Sequence, residues 1–115
     1  MLTDAWSLFS DMSYRSAVDR AYYAMFHAAH AALAFAGVSE PRTHRGLRTV
    51  PGKQLILTGT IERQYGRNLA YAQQVREQMT YDVSASPSQE ETEGLLEMAR
   101  AFVDRVQSFV SGASE

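Results

Sequence analysis

Apolar residues recur along most of this chain at intervals of three and four positions, which is the period of an amphipathic helix. Alternating runs of β-branched residues are absent, and so are the Asn-Gly and Asp-Gly pairs that mark tight hairpins. The pattern therefore predicts an all-α protein, an antiparallel up-and-down bundle of four to five helices that forms one domain over residues 1–115. The second helix and the fourth or fifth are expected to form its core.

Local signals place the first two helices. The first is predicted from Leu2 to Asp11. The second is predicted from Tyr14 to Ala36, because Ser13 is a suitable N-cap and Gly37 a suitable stop. A loop is expected over residues 38–44, where a proline disfavours helical backbone at the position before it.

The third segment contains a Pro51-Gly52 pair, which is predicted to break any helix and to leave a turn followed by a short apolar piece over residues 55–57. A fourth helix is predicted to begin after Thr60 as its N-cap. Its expected apolar stripe consists of Ile61, Tyr65, Leu69, Ala72, Val75 and Met79.

The fifth helix is predicted from the sequence Ser-Pro-Ser-Gln at residues 86–89. Ser86 would be the N-cap, Pro87 the first helical residue and Gln89 the third, and the helix would run to about Val110. The side chains expected in its core-facing row are Leu95, Ala99, Phe102, Val106 and Phe109.

The chain has 115 residues, of which 45% are hydrophobic and 21% are charged. This composition is that of an ordinary globular protein. The absence of cysteine excludes a disulfide framework and thiolate zinc sites, and is typical of a reducing compartment. We find neither a signal-peptide pattern nor an apolar run suited to a membrane span, so a cytoplasmic protein without membrane contact is expected. A chain this short would also gain stability from an interface with a second copy.

The net charge of −2 hides an asymmetry. Residues 1–80 contain nine Lys/Arg against six Asp/Glu, a net of +3, whereas residues 81–115 contain two against seven, a net of −5. Between residues 42 and 67 only Glu62 opposes a basic group, which is either a solvated face or a surface that attracts phosphate. The members of this group are Arg42, Arg45, Arg48, Lys53, Arg63 and Arg67.

Four polar-tipped side chains share one face of the predicted second helix: Arg20, Tyr23, His27 and His30. The opposite arc is mostly alanine, which lets a neighbouring helix approach closely. Arg20 and His27 are seven residues apart, so their backbones lie roughly 10 Å apart and do not form a ready-made catalytic pair.

Two interpretations of this face stay open. A histidine can transfer protons near neutral pH and an arginine can stabilise phosphate charge, as cleavage of RNA by its own 2′-hydroxyl requires. Alternatively, the histidines are structural and Arg20 bridges to Asp19 or Asp82. His27 and His30 have a usable metal spacing, but no carboxylate nearby completes a set, so neither a metal nor another cofactor is expected.

Several strings, in this order and spacing, resemble the small stand-alone prokaryotic members of the HEPN-domain family: "AVDRAYYAMFHAAHAAL", "PRTHRGL", "GKQLILTGTI" and "REQMTYDV". The resemblance covers about residues 13–110. It implies an all-α bundle that forms a homodimer, with the functional groups in a cleft between protomers. Many members are toxins of toxin–antitoxin pairs that bind or cleave RNA without metal, often beside a minimal nucleotidyltransferase antitoxin; others are described as nucleotide-binding.

The ribonuclease members of this family share an arginine followed, after four to six residues, by a histidine. Arg20 and His27 fit that spacing. The family motif usually lies late in the chain, however, where Arg76 matches the arginine and Tyr81 stands in place of the histidine. A phenol with a pKa near 10 is a poor general base at neutral pH, although it can donate a hydrogen bond to phosphate. Relatives also tend to carry an aromatic or aliphatic residue where this chain has Pro51.

Two functional hypotheses follow. The favoured one is a non-catalytic binding protein of a toxin–antitoxin system, which binds RNA or a nucleotide, a nucleotidyltransferase partner, or both. The alternative is a metal-independent endoribonuclease toxin. The candidate catalytic residues are Arg20, His27, Arg76 and Tyr81, and the candidate binding residues are Arg42, His44, Arg45, Arg48, Lys53 and Arg67.

Overall fold

A computed structural model describes residues 2–38, 51–84 and 86–112, and these ranges contain five helices and no strand. The predicted all-α class is confirmed. Within the same ranges, no helix has the length and apolar character needed to cross a membrane. The helices are α1 (Leu2–Ser10), α2 (Tyr14–Phe35), α3 (Pro51–Thr58), α4 (Arg63–Tyr81) and α5 (Gln89–Gly112).

Helix α2 is the centre of the bundle. It packs most extensively against α5 and also contacts α1, α3 and α4, while α3 pairs mainly with α4. The helical periodicity predicted these buried faces: Leu69 and Met79 of α4 lie in the core together with Phe102 and Val106 of α5. Tyr65, Val75 and Phe109, also expected there, pack against the core while remaining partly exposed.

The face of α2 that enters the core consists largely of alanine, with Ala17, Ala21, Ala29 and Ala32 almost fully buried. Small side chains allow neighbouring helix backbones to approach closely, and larger residues then fill the remaining space. Phe102 of α5 is the largest completely buried side chain among the described residues.

The turn between α1 and α2 places Met12 in the left-handed region, with φ at 63°. The Met12 amide donates to the Phe9 carbonyl and the Ser13 amide to the Leu8 carbonyl, at 3.0 and 2.8 Å. These two bonds form the motif that commonly ends a helix, although glycine is the usual residue at the left-handed position. Ser13 is the N-cap of α2 as predicted, but its side chain forms no capping hydrogen bond.

The end of α2 follows the sequence prediction. Gly37 has a φ of 77°, and its amide donates to the Ala34 carbonyl at 3.0 Å. The Val38 amide donates to the Leu33 carbonyl at 2.9 Å. Gly37 therefore stops the helix through the same motif, here with the residue that suits it. From position 39 on, the loop predicted over residues 38–44 lies outside the described residues.

The prediction that Pro51-Gly52 breaks a helix is wrong, because α3 begins at Pro51. Proline is compatible with the first helical turn, where its missing N–H has no intrahelical partner. Gly52 serves close packing: a Cβ atom on Gly52 would lie 2.9 Å from the Gly66 carbonyl oxygen, and one on Gly66 would lie 2.5 Å from Cγ1 of Ile56. The two glycines let α3 and α4 touch backbone to backbone.

The predicted N-caps of the last two helices both come two residues too early. Thr60 is not the cap of α4, since its hydroxyl pairs with that of Thr58 at 2.6 Å and Glu62 occupies the N-cap position. Ser86 is not the cap of α5. The Ser88 hydroxyl accepts from the Glu91 amide at 3.0 Å, and the Glu91 carboxylate accepts from the Ser88 amide at 3.3 Å. This reciprocal pair satisfies two terminal amides and fixes the start.

Candidate functional site

Three side chains of α2, those of Asp19, Tyr22 and Tyr23, hold Arg76 against that helix. The Arg76 Nε donates to Asp19 Oδ1 and its Nη2 donates to the Tyr23 hydroxyl, both at 2.9 Å. The guanidinium carbon also lies 5.3 and 4.9 Å from the ring centres of Tyr22 and Tyr23, within range of a cation–π interaction. Because Asp19, Tyr22 and Tyr23 are three or four residues apart, they project from one side of α2. The cation therefore has a fixed position.

The surroundings of Arg76 also favour its charged form. The hydrogen bond that Arg76 donates to Asp19 raises the pKa of Arg76 above its ordinary value, so the guanidinium stays protonated at any physiological pH. Burial raises the pKa of Tyr22, and the nearby Arg76 cation offsets part of this shift. A guanidinium has five N–H groups, of which the two bonds above use two. Arg76 keeps donors for a further acceptor, and its side chain is 32% exposed.

Arg76 and Asp19 line a cleft of about 370 Å³ between α2 and α4, next to the end of α1. Three arginines contribute to the cleft against a single carboxylate, that of Asp19, which Arg76 already engages. The cleft therefore carries a net positive charge. Its lining residues are Leu8, Arg15, Ser16, Asp19, Arg20, Arg76, Met79 and Thr80.

The other two arginines of the cleft differ in their contacts. Arg15 donates to the carbonyl oxygens of Met79 at 2.7 Å and Val83 at 3.3 Å, and so stabilises the end of α4. Arg20 is exposed and forms no hydrogen bond or ion pair within the described parts of the chain. The predicted alternative of a bridge from Arg20 to Asp19 or Asp82 is not observed. Arg20 is thus available to an external anion.

His27 lies one helical turn beyond Tyr23 and is exposed. Its ring is nearly parallel to that of Tyr23, with the ring centres 6.3 Å apart. His27 borders a different concavity, an apolar groove of about 650 Å³ between α1, α2 and α5. The ring of His30 contacts Phe26, with the centres 4.4 Å apart. The structure thus connects His27 to Arg76 through Tyr23 without placing it inside the cleft.

Tyr81 is the last residue of α4 and is 89% exposed. It follows Arg76 by five residues, so the two side chains leave the helix about 140° apart. Arg76 faces α2, whereas Tyr81 faces solvent. Within one chain the arginine and the tyrosine of the late motif therefore do not share a cleft.

The predicted binding residues are partly outside the structural description. Arg42, His44, Arg45 and Arg48 belong to residues 39–50, which are not described, while Lys53 and Arg67 are exposed on α3 and α4 and do not line the cleft.

Sequence reasoning missed Arg15, Ser16 and Thr80 as parts of the site. For Arg15 the sequence contains a weak indication. A basic residue in the first turn of a helix interacts unfavourably with the helix dipole, which suggests that it has a partner on another element.

Within the described residues there is no group of three or more His, Asp or Glu side chains that could hold a metal ion.

Comparison with known proteins gives a consistent assignment. The sequence profile of the HEPN domain matches residues 1–109. Two similar proteins come from Methanocaldococcus jannaschii. One, named "Putative toxin MJ0605", is 37% identical over 106 residues, which cover 92% of this chain and 78% of that protein. The other, "Putative toxin MJ0142", is 26% identical over 104 residues, covering 90% and 70%. "UPF0332 protein PH1297" of Pyrococcus horikoshii is 38% identical over 71 residues, covering 62% and 49%.

Proposed function

Because this chain belongs to the HEPN-domain family, we propose that it is the toxin-like protein of a toxin–antitoxin system and that its α2–α4 cleft binds RNA through a phosphate group. The names of the two Methanocaldococcus relatives support the first part of this proposal. The charge of the cleft supports the second, because RNA presents a row of phosphates to any cationic surface.

One observation carries the assignment to the cleft. Arg76 is held in position by Asp19 and Tyr23 and keeps unused N–H donors, while Arg20 lines the same cleft without a partner among the described residues. Two guanidinium groups, one prepositioned and one available, suit the forked recognition of a phosphate. A nucleotide would offer the same group, so the length of the bound strand distinguishes the two ligands.

Fluorescence anisotropy with a labelled single-stranded RNA in EDTA tests this function. Replacing Arg20 by Gln removes one phosphate contact, so the affinity should fall about tenfold and the salt slope should decrease by about 0.7. Arg100→Gln is the matched control, because Arg100 is an exposed arginine on α5 away from the cleft. Equal affinities of Arg20→Gln and Arg100→Gln would reject the cleft as the binding site.

Two assemblies belong to the same proposal. A homodimer would bring a second copy of the α2 face, with Arg20 and His27, close to the first.

A nucleotidyltransferase partner with a basic surface would suit the exposed acidic row of α5, formed by Glu90, Glu93, Glu97 and Asp104. Light scattering should then give twice the chain mass, and the product of the neighbouring gene should co-purify. A monomer that retains no such partner would contradict both.

A second candidate function is metal-independent cleavage of RNA. The observation that favours it is the exposed imidazole of His27 stacked on Tyr23, which itself bonds to Arg76. In this case His27 would transfer the proton and the arginines would stabilise the phosphate charge. Incubating RNA with the protein in EDTA should give products that His27→Ala and, if Tyr81 assists, Tyr81→Phe fail to form. Intact RNA with the wild-type protein would reject this function.

A further inference from the structure

The outer face of α4 carries a second cationic feature, on the side opposite the cleft. Arg63, Arg67 and Tyr71 follow one another at intervals of four residues and are all exposed, Tyr71 to 42%. Such spacing aligns side chains along one side of a helix, over about 12 Å in this case. Arg67 and Arg76 are nine residues apart and leave the helix in opposite directions. The row is therefore separate from the α2–α4 cleft.

The two arginines of this row are not neutralised by neighbouring acids in the described structure. Glu62, at the N-cap, accepts two close hydrogen bonds from Arg105 of α5, at 2.6 and 2.8 Å. Glu77, further along α4, accepts from Gln73 at 3.1 Å. Neither Arg63 nor Arg67 forms an ion pair with a residue of the described ranges. Their charge is therefore available to an external ligand.

Packing leaves this face uncovered by the other four helices. Helix α3 meets α4 along an adjacent edge, where a Cβ atom on Gly52 would lie 3.4 Å from the Ala70 amide nitrogen. Lys53, the next residue of α3, is also exposed. The outer face of α4 itself combines two cations, Arg63 and Arg67, with one accessible aromatic ring.

An arginine–aromatic row of this kind has the chemistry of a single-stranded RNA contact. Arginine side chains bind successive phosphates, and an exposed tyrosine ring offers a platform on which any base can stack. We infer that the outer face of α4, through Arg63, Arg67 and Tyr71, forms a second contact surface for single-stranded RNA, which lets a long strand bind beyond the cleft. This inference rests on the proposed RNA-binding function and adds a specific surface to it.

Two RNA lengths and two kinds of variant test the inference. With a strand of ~20 nucleotides, the double variant Arg63→Gln/Arg67→Gln should bind about tenfold more weakly, and its salt slope should fall by about 1.4. With a strand of ~4 nucleotides, which under the proposed function binds through the cleft, its affinity should equal that of the wild type. Arg100→Gln again controls for the loss of an exposed arginine.

Tyr71 separates stacking from charge. Tyr71→Ala should weaken binding of the long strand at least about fivefold without changing the salt slope, whereas Tyr71→Phe should bind as the wild type does. All of these side chains are exposed, so circular dichroism should show unchanged helicity in every variant.

The outcomes distinguish this inference from the function on which it rests. A wild-type protein that binds neither strand overturns both proposals. A wild-type protein that binds both strands, with α4 variants that match it on the long one, overturns the second surface alone. If the double variant instead dissociates a dimer and leaves long-strand affinity unchanged, this face is an interface between copies and the inference is wrong.

Discussion

The two sides of α2 differ in the kind of side chain that they present to the neighbouring helices. Toward α5, α2 presents a closely packed seam of alanines against large apolar side chains such as Phe102. Toward α4, it presents Asp19 and Tyr23, half-exposed groups that hold Arg76 through hydrogen bonds. The seam removes apolar surface from water and so stabilises the fold. The cleft contributes little to stability but fixes a cation where a ligand can reach it.

The largest effect is expected in the seam. Phe102→Ala removes a fully buried aromatic ring and should lower the free energy of unfolding by about 3–5 kcal/mol. Urea denaturation followed by circular dichroism measures this change. Phe35→Ala is the control, because Phe35 is 49% exposed and should cost far less. Equal losses for the two variants would contradict the assignment of the core.

The next largest effect is expected where α3 meets α4. Gly66→Ala would place a methyl group against Ile56 and the Gly52 backbone, so the free energy of unfolding should fall by about 1–3 kcal/mol. Gly94→Ala in α5 is the matched control, since a Cβ atom there meets nothing within 4 Å. That variant should instead gain about 0.5–1 kcal/mol from better helix propensity. Parallel thermal melts decide the sign in each case.

A smaller stability effect with a large functional effect is expected in the cleft. Arg76→Met removes the partner of Asp19, but both side chains are partly exposed, so the loss in unfolding free energy should be about 1 kcal/mol or less. RNA affinity should nevertheless fall about tenfold, because the fixed cation is lost. Denaturation and anisotropy on the same preparation test this contrast. A loss of several kcal/mol with unchanged RNA affinity would make Arg76 a structural residue only.

A smaller effect is expected from the ion pair between α4 and α5. The Arg105 guanidinium beside Glu62 holds the pKa of that carboxyl below its usual range. Its stabilising contribution is present above the unfolded pKa of about 4.3 and is lost as the pH falls through the lower folded value. Because Glu62 is half-exposed, this contribution should be about 0.2–1 kcal/mol. Glu62→Gln should remove this part of the acid-induced loss, and an unchanged pH profile would contradict the assignment.

The left-handed Met12 offers a test of the α1–α2 turn. A side chain at this conformation costs roughly 1–2 kcal/mol, whereas glycine adopts it without strain but loses more entropy on folding. Met12→Gly should therefore leave stability unchanged or raise it by up to about 1 kcal/mol. A clear loss in a thermal melt would show that the Met12 side chain, which is 75% exposed, contributes a contact of its own.

The seam and the cleft also differ in how well the sequence predicts them. The buried rows of α4 and α5 follow from a local period of 3.6 residues, so Leu69, Met79 and Phe102 are found where the pattern places them. The predicted helix break at Pro51 was wrong because proline disrupts the interior of a helix but is compatible with its first turn. The role of Gly52 depends on Gly66, a contact between two helices that no local pattern contains.

The sequence predicts only some of the residues at the cleft. Arg76 could be selected from the family motif, and Tyr23 from its position on the polar face of α2. Their hydrogen bond joins residues 53 positions apart, and the Asp19–Arg76 bond joins residues 57 apart. Such pairs depend on how α2 and α4 cross. For the same reason, the sequence left open a bridge from Arg20 to Asp19 and could not show that Arg76 forms this bond instead.

The most direct test of the central claim is a titration of the protein with single-stranded RNA, followed by NMR of the arginine Nε–H groups. If the α2–α4 cleft binds phosphate, the signals of Arg20 and Arg76 should shift together and saturate at the same RNA concentration, while that of Arg100 stays in place. Arg76 should keep slow hydrogen exchange because Asp19 holds its Nε. Shifts confined to other arginines, with Arg20 and Arg76 unchanged at saturation, would contradict the account.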